Sequence, residues 1–142
     1  MAKGINRGPN PPHGGRIPPA IPLPEEDLRF SFKYIDLQHG KFSAARCQEG
    51  YLHCFLDRLR DVCSIRVQEF RTNRSPSLRA HRIRFADTSE PNGFIHLNEQ
   101  LRAYEAWQFE ITSNKHGRVR GLLVEDTFYV VWIDPDHQLY PK

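Results

Sequence analysis

The chain has 142 residues, 39% hydrophobic and 26% charged, with 20 Lys and Arg against 17 Asp and Glu, a formal net charge of +3 with seven neutral histidines. That length suits one domain. No apolar run reaches the eighteen residues that a membrane span needs, and no apolar stretch follows the basic N-terminus as in a secretory signal, so the expected compartment is the cytoplasm.

Residues 1–26 read as a disordered Pro/Gly-rich tail. Seven of the eleven prolines lie between Pro9 and Pro24, and proline removes amide donors while fixing φ, which excludes helix and interior strand. The run Arg16-Ile-Pro-Pro-Ala-Ile-Pro-Leu-Pro serves as a linker or as a polyproline II ligand.

A single domain is expected over residues 27–142. In Leu28-Arg-Phe-Ser-Phe-Lys-Tyr, period-two alternation predicts a strand with Leu28, Phe30, Phe32 and Tyr34 on one face. From Ser43 the period becomes helical. Leu52, Phe55, Leu56, Leu59, Val62 and Cys63 form the apolar stripe, and Ser43 or Ser64 is placed to cap this helix and a shorter one through Val67–Thr72. Gly93-Phe-Ile-His-Leu reads as a short strand, and 98–104 stays ambiguous.

The last third predicts a meander. Trp107–Ser113 is a strand with Trp107, Phe109 and Ile111 on one face. A turn at Asn114–Gly117 leads to a strand over Arg118–Val124, and Glu125-Asp-Thr connects to Phe128–Ile133, apolar at every position and therefore buried on both faces. The expected architecture is α+β: an antiparallel sheet of about four to five strands packed on one side by two N-terminal helices.

Two constellations carry chemistry. Arg118 and Arg120, at i and i+2 on a strand, share a face about 7 Å apart, the spacing of a guanidinium clamp for a phosphodiester; a solvated outer face is the other reading. Lys115 and His116 extend the charge into the turn, and Arg82 and Arg84 add a basic strip for RNA. In Asp134-Pro-Asp-His-Gln-Leu-Tyr, His137 can exchange a proton near neutral pH and Tyr140 can donate to a phosphate oxygen, although the same residues make good turn chemistry. No His-Glu-x-x-His, Gly-x-Gly-x-x-Gly or Walker-type loop occurs, so no metal and no nucleotide cofactor is expected. Cys47, Cys54 and Cys63 lack zinc-site spacing and read as free thiols.

Taken together, Gly117-Arg-Val-Arg-Gly, the buried strand and Asp136-His-Gln-Leu-Tyr make Trp107–Lys142 resemble the C-terminal half of the RelE-type bacterial toxins. The match covers a quarter of the chain. The proline-rich leader departs from that pattern, and so does glutamine where a His-Arg pair is usual. The resemblance implies a metal-independent endoribonuclease, acting on RNA (messenger RNA on the ribosome in many members) and restrained by an antitoxin protein. It implies Arg118 and Arg120 as phosphate stabilisers, His137 as acid or base and Tyr140 as the terminal tyrosine; Glu110 or Glu125 would supply a carboxylate base. The alternative is a non-catalytic module that binds RNA, DNA or protein through a basic sheet face.

Overall fold

A computed structural model describes residues 27–72, 77–112 and 115–140; the N-terminal tail lies outside the described residues. Strands β1 (Arg29–Ser31), β2 (His81–Arg82), β3 (Glu105–Glu110), β4 (Arg118–Val124) and β5 (Thr127–Asp134) form one sheet in the order β1-β5-β4-β3-β2. Helices α1 (Tyr51–Val62), α2 (Val67–Arg71) and α3 (Glu99–Arg102), with two 3-10 turns at Ala44–Arg46 and Phe85–Asp87, complete the described elements. Among them no helix is long and apolar enough to cross a membrane.

The sheet is mixed rather than antiparallel. The meander β3-β4-β5 is present as expected, but β1 lies parallel to β5, with Phe30 opposite Phe128. The helical crossover after β1 permits this, since a parallel neighbour needs a long connection. β1 is also shorter than the predicted alternation. The chain turns at Phe32, where the Ile35 amide donates to the Phe32 carbonyl at 3.2 Å, leaving Phe32 exposed and moving Tyr34 to the opposite core.

One face is covered by α1 and α2, which bury Tyr51, Phe55, Leu59, Val62 and Phe70 against Trp107, Phe109 and Phe128. The apolar stripe of α1 is rotated from the expected one: Leu52 and Leu56 face solvent. Tyr51 outcompetes them because it starts the helix beside the sheet. Ser43 caps only a short 3-10 turn at Ala44–Arg46, its hydroxyl accepting from the Ala45 amide, and Gly50 begins α1. Ser64 caps nothing; its hydroxyl donates back to the Arg60 carbonyl.

The other face has no long helix, yet it is also buried. Segments 36–42, 83–97 and 134–140 lay Phe42, Ile83, Phe94, Leu97 and Leu139 over Ala106, Leu122 and Trp132. Gly93–Leu97 is therefore not a strand. Gly93 has φ 71° and the Leu97 amide bonds to Phe94, so the segment coils and offers no edge. The ambiguous stretch becomes α3, capped by the Asn98 side chain.

Register shifts at Gly121. Arg120 faces Trp132 while Gly121 faces Val130, so Val131 is an extra residue, and its carbonyl accepts from the Asp36 amide at 2.9 Å. A Cβ on Gly121 would sit 2.0 Å from the Tyr129 carbonyl oxygen. Gly121→Ala is expected to lower unfolding free energy by about 3 kcal/mol through overpacking, whereas Gly40→Ala, with nothing within 4 Å, should stay within about 0.5 kcal/mol of the parent. Urea denaturation of the two variants checks this.

Candidate functional site

The pleat decides which side chains meet. On β3, Trp107 and Phe109 enter the helix-side core, so Gln108 and Glu110 must point to the other face. Across the ladder Gln108 pairs with Arg120, Glu110 with Arg118, and Arg118 with Asp134. Directly opposed residues share a face, which gathers two carboxylates, two guanidinium groups and an amide at one end of the second face.

Their contacts are specific. Arg120 Nη2 donates to Asp134 Oδ2 at 2.6 Å, with relative side-chain exposures of 1% and 0%. Arg118 Nη1 lies 3.0 Å from Glu110 Oε1, and Arg79 Nε lies 3.5 Å from Glu110 Oε2. Arg120 Nε and Nη1 have no hydrogen-bond partner, nor does Gln108 Oε1. Burial pulls the Arg120 guanidinium below its ordinary pKa while Asp134 opposes the shift. The expected pair of outward guanidinium forks is thus one sealed fork, Arg120, and one half-buried fork, Arg118.

Asp134 also shapes the C-terminal segment. Its Oδ1 accepts from the Gln138 amide at 2.7 Å, and its Oδ2 accepts from the Leu139 amide at 3.0 Å as well as from Arg120. Ser89 clasps the same segment, its amide donating to the Leu139 carbonyl and its hydroxyl to the Gln138 carbonyl. Leu139 fills the second core completely, and the chain turns back through His137 at φ 56°. Tyr140 consequently sits with its ring centroid 5.4 Å from Arg120 Cζ, a cation–π contact.

His137 sits in the turn after β5, its amide donating to the Asp134 carbonyl at 3.5 Å. Burial lowers its pKa first, and the charge of Arg118 lowers it further; Asp134 and Glu110 act in the opposite sense and Arg120 in the same one. Arg118, Arg120, Glu110 and Tyr140 thus share one end of this face, Tyr140 through its contact with Arg120, and His137 lies in the turn that joins Asp134 to them. His81 closes the group from β2: its Nε2 accepts from Gln108 Nε2 at 2.6 Å, its Nδ1 donates to the Arg82 carbonyl at 2.9 Å, and its ring lies 6.5 Å from Tyr140.

The expected RNA-contacting residues separate. Lys115 is exposed, but His116 is buried edge-on to Tyr51 at 5.6 Å and offers no surface. Arg82 and Arg84 are exposed on the β2 edge, Arg84 beside Asp87 at 3.8 Å. Glu125 stands in the β4–β5 turn at the opposite end of β4, away from the cluster. Sequence reading missed Gln108, Asp134 and His81. The alternation around Trp107 and Phe109 already put Gln108 on the second face; Asp134 and His81 carried no comparable signal.

Three guanidinium groups (Arg79, Arg118, Arg120) face two carboxylates (Glu110, Asp134), so the cluster favours an anion. The His137 imidazole, its pKa lowered by burial, can accept a proton. Among the described residues no group of three or more His, Cys, Asp or Glu side chains is arranged to hold a metal ion. Comparison with protein-family models, with curated proteins and with solved structures found no match.

Breaking the buried pair should leave an uncompensated charge. Asp134→Ala is expected to cost about 3–5 kcal/mol of stability, and the double variant Arg120→Met/Asp134→Leu much less, both read from denaturant midpoints. A second outcome concerns pH. The folded-state pKa of His137 lies below its ordinary value of 6.5, so its contribution to stability is present above that value and is lost as pH falls through the folded pKa. His137→Gln should flatten that acidic limb in thermal melts across pH 4–8.

Proposed function

We propose that the chain is a toxin-like endoribonuclease that cleaves RNA without a metal and is restrained by an antitoxin protein, acting in the cytoplasm. The observation that carries this reading is the junction, at one end of the sheet, of Arg118 and Arg120 with the C-terminal segment that Asp134 holds, Tyr140 lying against Arg120 and His137 within that segment.

The chemistry assigns each group a task. The neutral His137 imidazole takes the proton of the ribose 2′-hydroxyl, and the 2′-oxygen attacks the adjacent phosphorus. Arg118 turns from Glu110 to the phosphate and neutralises the charge that grows on the phosphorane. The P–O5′ bond breaks, and the 5′-oxygen takes a proton from the Tyr140 hydroxyl, leaving a 2′,3′-cyclic phosphate and a 5′-hydroxyl. Arg120 does not reach the substrate in this scheme; it positions Asp134, and through it His137 and Tyr140.

A second reading rests on the carboxylate partner that each guanidinium already has. In it the chain binds nucleic acid without cleavage, through the exposed Arg79, Arg82 and Arg84 along the β2 edge.

Incubation of the purified protein with RNA in EDTA distinguishes the two. Cleavage that survives the chelator and falls at least about 100-fold in Arg118→Ala and in His137→Ala, with cyclic-phosphate ends, is the expected result. Retention without cleavage establishes the binding module instead, and absence of both defeats each reading.

A further inference from the structure

A cavity of about 310 Å³ opens on the same sheet face, one pleat beyond the cluster. Its floor is Ile83, Ala106 and Leu122, and Leu122 and Ala106 follow Arg120 and Gln108 along the face by alternation, in the sense that each lies two residues away on its strand. Alternate strand residues are about 7 Å apart. The pocket and the cluster therefore adjoin.

The lining is aromatic at the walls and basic at the mouth. Phe85 and Phe94 meet edge-to-face at 5.0 Å, and Tyr104 lines the opening with 48% of its surface exposed. Arg102, on the last turn of α3, is exposed at the rim. Asn92 adds an amide able to donate and accept at the edge of a planar ring.

We infer that this pocket takes the base of a nucleotide next to the scissile phosphate, so that the substrate is single-stranded RNA with an unstacked base. This rests on the cleavage reading given above. Four features select that occupant. A cavity of this size lies at the lower end of small-ligand sites, suited to one base and not to a folded partner. Aromatic walls accept the π-face of any base. A cation at the mouth suits the phosphate that must follow, and the neighbouring cluster holds one more guanidinium than carboxylates. A second cavity of similar volume, lined by Asp36, His39, Glu90 and His96, has the wrong charge for a phosphate-linked ligand and serves as the internal contrast.

The test uses the full chain carrying His137→Ala, so that RNA survives, and a fluorescently labelled ten-nucleotide single-stranded RNA read by anisotropy. Adding Tyr104→Ala should weaken binding about tenfold, while Tyr104→Phe should retain it. Adding Arg102→Ala should weaken binding and lower the slope of log affinity against log salt by about one. Ile95→Ala, in the contrasting cavity, should change nothing. In the parent background, Tyr104→Ala should raise KM more than it lowers kcat. If RNA is cleaved and bound equally well with Tyr104→Ala and Arg102→Ala, the pocket inference is wrong and the nuclease reading stands. If the unmutated chain binds RNA without cutting it and those variants weaken binding, the pocket stands and the nuclease reading falls. A preference for duplex RNA over the single strand overturns the pocket.

Discussion

A guanidinium buried on a sheet face persists only beside a carboxylate, because its desolvation cost far exceeds what packing returns. Arg120 meets that condition through Asp134, and much of the second face follows from this one contact. Asp134 is at once the partner of β4, the last residue of β5 and the acceptor for two amides of the C-terminal segment. Strand pairing, turn and terminus are thereby tied at a single carboxylate. The segment that carries His137 and Tyr140 is held by this carboxylate together with Ser89, the buried Leu139 and the Arg46–Asp136 pair.

The two faces of the sheet are built by different means. The helix face is an aromatic and aliphatic core in which Phe30, Phe70, Phe109 and Phe128 pack tilted or edge-on. The second face has Trp132 at its centre, against Phe42 and Phe94, with its indole N–H donating to Asp36. Its cover consists of irregular segments held by local devices: Lys41 pairs with Glu90, His39 sits 3.7 Å from the same carboxylate, and Arg46 reaches Asp136. Such cover opens at lower free energy than packed helices do. Cluster and pocket thus lie under the more loosely covered face of the sheet.

Several elements are legible without coordinates. Trp107, Phe109 and Ile111 announce a strand with one buried face, and Phe128–Ile133 announces a central one; both are found, the first as Glu105–Glu110, ending three residues earlier than expected, the second one residue longer at each end. Alternation in Arg118-Val-Arg likewise puts both arginines on one face. Other elements mislead for identifiable reasons. Leu52 and Leu56 match the helical period as well as Tyr51 does, and only the start of α1 beside the sheet decides which stripe is buried. Gly93–Leu97 is apolar enough for a strand, but it has no partner edge and coils over Trp132. β2 is two residues long, too short for any period to register.

Sequence alone determined the meander, its buried faces and the residue types that could meet at its end, since these depend on local periods of two and 3.6 and on side-chain chemistry. Tertiary structure decided that β1 joins β5 in parallel, that the second face is buried under loops, and that Arg120 is sealed while Arg118 keeps an edge. The last of these depends on which distant carboxylate reaches which guanidinium. Asp134 is 14 residues from Arg120, and no local period encodes that meeting; the ladder register and the burial cost of an unpaired charge do.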